Sequence, residues 1–248
     1  MNGPTMTAMR LLKLAFRRET AMPMLALTFA SATCVALVAA RMIWTGRLGY
    51  SFLVWNLFLA WLPLVFALLA SEKYQRASGR DWRFLSLAGA WLLFFPNAPY
   101  IFTDLTHLTT RYYGHFWVDL MLILLCALTG LVLGFVSLYL MQSVVKRMLG
   151  CPASWLFIAA VAALSGFGIY LGRFMRFNSW DVLFRPVQLY RGIGNWVAAP
   201  LANLNSLAFP LLFGTFLFIS YLMLYALTHL QPAPSMIAPP TTPAPAPA

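Results

Sequence analysis

The chain has 248 residues, 61% of them hydrophobic and only 9% charged, with a mean hydropathy of +0.76. Soluble domains carry about a quarter charged residues, so an ordinary soluble globular protein is excluded. The net charge of +11 would suggest nucleic acid in a soluble chain. Here the basic residues punctuate long uncharged stretches, which is the pattern of a protein whose partner is the lipid bilayer and not nucleic acid.

Arg10, Lys13, Arg17 and Arg18 precede an apolar run over 20–40. That run is longer than the roughly 7–15 residues of a signal-peptide core, so it reads as a retained first span after a basic cytoplasmic segment, 1–20. Further charge-free stretches lie at 48–71, 84–103, 120–145, 148–172 and 204–230. About 20 helical residues cross a hydrocarbon core of ~30 Å, so six spans are expected. The fold class is therefore all-α, a polytopic helix bundle occupying 21–230. Residues 231–248 hold seven prolines and read as a Pro/Ala-rich flexible tail.

An inside amino terminus places ten Lys and Arg on the cytoplasmic side and seven outside. That tally favours a cytoplasmic amino terminus. Two GxxxG pairs, Gly130/Gly134 and Gly168/Gly172, are expected where helix backbones approach closely. The run Gly166 to Gly172 lacks the spacing and the preceding strand of a nucleotide loop. Cys34, Cys126 and Cys151 are too scattered for a disulfide framework or a metal knuckle.

The third span is irregular. Pro96 and Pro99 bracket Asn97-Ala98, and proline both lacks an N–H and clashes with the turn before it, so a helix should end near Phe95. A helix from Phe84 to Phe95 falls short of the bilayer. Either it begins earlier, near Asp81, or the break lies at membrane depth, where irregular backbone needs protein or a wet cavity around it. The simpler reading is a proline-capped end at the interface. Polar residues gather just beyond: Asp104 with His107, and His115 with Asp119, at helical spacing.

The stretch from Phe94 to Leu108, FFPNAPYIFTDLTHL, with Trp117-Val-Asp119 and Arg176-Phe-Asn-Ser-Trp-Asp181, resembles a family of bacterial membrane proteins catalogued as domain of unknown function 1361. The resemblance covers most of the chain from span two to span six and implies a multi-pass protein of the bacterial cytoplasmic (inner) membrane. It assigns no catalytic residue.

Asp104, His107 and Asp119 are the candidate catalytic groups. Asn97, Tyr100, Arg173, Arg176, Asn178 and Asp181 are the candidate substrate-binding residues. No cofactor is expected. A divalent metal on Asp104, His107, His115 and Asp119 is the weaker alternative, because imidazole and carboxylate suit zinc, manganese or iron but the spacing matches no known signature. The structural readings compete. Thr103 or Asp104 would cap a helix, Asp119 would sit in a first turn, and Arg173 and Arg176 would close span five. Internal pairing of Arg173, Arg176, Arg185 and Arg191 with Asp104, Asp119 and Asp181 is the leading expectation, with an anionic partner as the alternative. Asn56 reads as an interhelical hydrogen bond. Ser179 has no nucleophile elbow around it.

Three functions follow from these readings. The first is an accessory or structural envelope factor, with another membrane protein as its partner, in which the polar cluster is an ion-pair lock. The second is an enzyme acting on an anionic or lipid-linked substrate at the outer leaflet. The third is a small transporter with its site at the proline break. A lock predicts each Asp against an Arg with no cavity, and an enzyme predicts a pocket where a carboxylate and a histidine converge. A transporter predicts Asn97 and the loosened carbonyls near the bilayer midplane, with polar residues continuing toward the cytoplasm.

Overall fold

The structure is a computed structural model that describes residues 21–46, 48–77, 81–110, 115–198 and 204–229; the basic amino-terminal segment and the proline-rich tail lie outside them. Every regular element among these residues is helical. That follows from the solvent, since in hydrocarbon an unpaired peptide group costs several kcal/mol and a helix satisfies its own. Six runs are long and apolar enough to cross a bilayer: Ala21–Thr45, Ser51–Gln75, Trp82–Leu108, Phe116–Leu149, Cys151–Phe174 and Ser206–Thr228. The protein is a multi-pass membrane protein.

The elements in chain order are α1 (Ala21–Thr45), α2 (Ser51–Ala77), α3 (Trp82–Phe94), α4 (Asn97–Tyr100) and a 3-10 helix (Ile101–Thr110). They are followed by α5 (Phe116–Leu149), α6 (Cys151–Phe174), α7 (Asp181–Phe184), α8 (Pro186–Ala198) and α9 (Leu204–Thr228). Helix α5, 34 residues and so about 51 Å long, is the most buried of the spans and forms the centre of the bundle. Helices α1 and α2 pack on one side of it and α6 on another, with α3 against α2 and α9 against α6.

The core divides between the two ends. Toward the end where α2 starts, Leu53, Leu57 and Leu64 meet Leu122, Ile123 and Ile101. Toward the other end, Trp91 and Phe95 meet Phe135, Leu138 and Ile158. Two buried polar pairs join these helices: Trp91 Nε1 donates to Ser137 Oγ at 3.2 Å, and the Tyr221 hydroxyl donates to Gln142 Oε1 at 2.6 Å. Lys73 Nζ, at the end of the second span, lies 3.2 Å from Asp81, which precedes the third, and holds that carboxyl below the usual carboxylate range.

The broken span resolves the question raised by its prolines. Helix α3 starts at Trp82, with Asp81 at its N-cap, and stops at Phe94. The chain does not leave the bundle there. After Phe95 and Pro96 it resumes as α4 and the 3-10 helix, so the break falls at the middle of a 27-residue run. The simpler reading, a proline-capped end of the span, is thereby corrected. Thr103 and Asp104 do not cap a helix either, because both lie inside the 3-10 segment.

Candidate functional site

A broken helix leaves carbonyl groups without intrahelical donors. Two side chains take them here. Asn97 Nδ2 donates to Phe94 O at 3.0 Å, and Ser179 Oγ donates to Leu93 O at 3.0 Å. The two are joined, Asn97 Nδ2 donating also to Ser179 Oγ at 2.9 Å. Ser179 reaches so deep because Arg176, at φ 60°, takes the left-handed position that usually belongs to glycine after a helix. The chain turns back there, and Phe177 N–H meets Leu171 O at 3.1 Å.

Both GxxxG pairs face this break. A Cβ on Gly130 would lie 2.6 Å from Ala98 O, and one on Gly134 3.0 Å from Ala98 Cβ. On the opposite flank a Cβ on Gly168 would lie 3.0 Å from Pro96 Cγ, and one on Gly172 3.1 Å from Tyr100 Cε2. The small residues thus seat α4 between α5 and α6.

Beyond α4 the 3-10 helix turns once every three residues, so residues three apart stack in line. Thr103 and Thr106 hydroxyls donate to the carbonyls of Tyr100 and Thr103, at 2.7 and 2.9 Å, supporting that tighter winding. Asp104 and His107 therefore project along one edge. Asp104 is only 2% exposed. Asn56 Nδ2 donates to its Oδ2 at 2.8 Å, while Arg173 Nη1 and His107 Nε2 each stand 3.8 Å from its Oδ1. Arg173 Nη2 also donates to Thr106 Oγ1, and the His107 ring packs on Phe52 with centroids 4.9 Å apart.

These groups border a cavity of about 460 Å³ in front of α4, with α2 and α6 on its two sides. Asn56, Asn97, Tyr100, Asp104, Arg173 and Asn178 line its polar part. Phe52, Trp55 and Phe177 give it aromatic walls, and its remaining liners include Leu59, Leu93 and Leu171. Val182 of α7 and Leu189 of α8 complete it from the loop side. Helix α8 is anchored by Trp196, whose ring packs on Phe167 at 4.8 Å and whose Nε1 donates to Ser206 O at 3.1 Å. Pro210, four residues on, has no N–H to give that carbonyl.

The second acid of the sequence reading is elsewhere. Asp119, in the first turn of α5 as expected, binds Arg41 of α1 through two contacts, Nε to Oδ1 at 2.7 Å and Nη2 to Oδ2 at 3.2 Å. Arg41 is 7% exposed and lies 5.3 Å from the Trp44 ring and 5.9 Å from the Tyr50 ring. His115 packs its ring against Trp44 at 4.9 Å. Asp181 closes its own loop, accepting Asn178 N–H at 2.7 Å with Arg185 Nε at 4.0 Å.

A family model described as protein of unknown function (DUF1361) matches residues 55–220. The chain belongs to this family. The matched part begins in α2, ends in α9 and contains every cavity residue named above except Phe52. No curated protein and no solved structure matches the chain. In this family member, Asn97, Tyr100, Asp104, His107, Arg173 and Asn178 meet at one cavity. His115 and Asp119 stand with Arg41 and Trp44 instead, and Asp181 serves its loop. Among the described residues no three His, Cys, Asp or Glu side chains converge as a metal site would require. Asp119 pairs with an arginine outside the four proposed for it, because Arg41 reads in sequence as a topology charge at a span end. Asn56 does form an interhelical bond, and that bond lands on the acid of the cavity. Ser179 has no role assigned by the string it sits in and Trp55 carries no motif, so only the folded loop and the helix azimuth reveal them.

Proposed function

We propose that this family member is an accessory factor of the bacterial cytoplasmic membrane, amino terminus inside, that binds a ligand in the cavity at Asp104 on its outward side. One contrast supports the reading. Asp119 is closed into a short two-point pair with Arg41, whereas Asp104 faces a cavity with Arg173 and His107 both at 3.8 Å, beyond hydrogen-bond length. A carboxylate buried this far is costly at membrane depth and is kept where it pairs or serves a site. Asp119 is the lock; Asp104 retains capacity for a ligand.

A second reading, an enzyme acting on a lipid-linked substrate, draws on the same Asp104–His107 contact, which would let the imidazole move a proton at the cavity. The test has two arms. A single cysteine at Asn178, with the native cysteines replaced, should react with a membrane-impermeant maleimide in intact cells; protection there and labelling only after permeabilisation would reverse the orientation. Asp104→Ala should accumulate normally yet fail to restore the envelope phenotype of a deletion strain, and full restoration would end the binding reading. His107→Gln separates the two readings: loss of function with ligand binding intact favours the enzyme.

A further inference from the structure

The chemistry lining the cavity narrows the class of ligand, given the binding reading above. We propose that the site takes an amphiphile with an uncharged, polyhydroxylated head, a lipid-linked sugar, entering sideways from the surrounding leaflet.

Charge is the first argument. A phosphate wants a cation that is free to fork onto it. Among the described residues one arginine lines the cavity, Arg173, and it donates to Thr106 while standing 3.8 Å from Asp104. Arg176, Arg185 and Arg191, expected to grip an anion, are exposed and not among the lining residues. The acid and its arginine offset each other, and a neutral head fits such a wall better than a charged one.

The remaining polar groups suit hydroxyls. The Asn97 carbonyl oxygen, the Asn178 amide, the Tyr100 phenol and the Asp104 carboxylate mix donors with acceptors in one lining. A hydroxyl is both donor and acceptor, so neighbouring hydroxyls of one ring can use such a mixture while a phosphate, acceptor only, cannot. Phe52, Trp55 and Phe177 supply flat apolar faces. A sugar ring, polar at its rim and C–H at its faces, stacks on such surfaces as other amphipathic groups do. A cavity of about 460 Å³ falls in the range that holds small ligands.

The tail follows from where the cavity opens. Trp55 of α2 is 53% exposed and Val182 of α7 42% exposed, and both line the cavity, so it opens to the surface beside them. Leu59 and Leu93 continue the apolar lining below the polar groups. A tail leaving between α2 and α7 would stay in hydrocarbon while the head meets Asp104.

The full chain in lipid nanodiscs tests this directly, titrated with octyl β-glucoside below its micellar concentration, with monooctyl phosphate and with free glucose. Saturable octyl glucoside binding is expected, with free glucose weaker by about a hundredfold or more for want of an eight-carbon tail. Asn178→Ala and Trp55→Ala change exposed side chains, so both should melt like the parent in the absence of ligand. Each should weaken glucoside binding by about fivefold, the worth of one hydrogen bond or one stacked face. If monooctyl phosphate saturates the same Asn178-sensitive site and the glucoside does not, the head-group class is overturned while the binding reading stands. If no amphiphile gives saturable, Asn178-sensitive binding, both are overturned.

Discussion

Gly168 and Pro96 touch so closely that a methyl group on the glycine would lie 3.0 Å from the proline Cγ. A helix break that would otherwise expose peptide groups is held because α5 and α6 each present a strip of bare backbone to it. Space, not conformational freedom, is what these glycines supply.

Gly130→Ala should therefore be costly, since its Cβ would meet Ala98 O at 2.6 Å and Ile101 Cδ1 at 2.9 Å. Overpacking of this kind costs about 1–3 kcal/mol. Gly89→Ala, where nothing lies within 4 Å, should be neutral or stabilising by up to ~1 kcal/mol through helix propensity. Thermal melts in nanodiscs check the pair, and equal melting of the two variants would contradict the cradle.

The Arg41–Asp119 pair should behave as a buried ion pair. Removing either partner leaves a charge among apolar neighbours, and Arg41→Ala or Asp119→Ala should each lose about 3–5 kcal/mol. Arg41→Met with Asp119→Leu should recover most of that loss, because both charges go together. A double-mutant cycle with no coupling would show that the pair is not a unit. The exposed Lys73–Asp81 pair is the contrast. Its folded carboxyl is depressed, so whatever it contributes is present above the ordinary carboxylate pKa of about 4 and fades as pH falls through the lower folded value. Asp81→Asn should leave the melting temperature at pH 7 unchanged.

Trp196 and Pro210 should be coupled through the Ser206 carbonyl. Trp196→Phe removes the indole donor and should cost about 0.5–1.5 kcal/mol. In a Pro210→Ala background the helix regains an N–H for that carbonyl, and the same change should cost less. Equal costs in the two backgrounds, read from melting curves, would detach α8 from the proline.

Ser179→Ala should loosen the break without touching the Asp104 edge. It removes the donor to Leu93 O and the acceptor of Asn97 Nδ2, a loss of about 1–3 kcal/mol if the buried carbonyl is left bare. Hydrogen exchange at Asn97 and Ala98 should quicken, whereas exchange near Asp119 should not change; a uniform increase would place the effect elsewhere.

Local chemistry made much of this molecule legible before any coordinates. Six apolar runs, the stop of α3 at Phe94 and the shared edge of Asp104 and His107 all follow from chain periodicity, proline sterics and the water-free solvent around the helices. Those are properties of neighbours in sequence. Partner choice is not. Arg41 meets Asp119 and Asn56 meets Asp104 because α1, α5, α2 and the 3-10 segment stand side by side at matching heights, with helix rotations that the residues of one helix cannot specify. The same packing turned the GxxxG pairs toward a proline turn rather than toward each other. It also left one buried carboxylate beside a cavity while closing the other against an arginine.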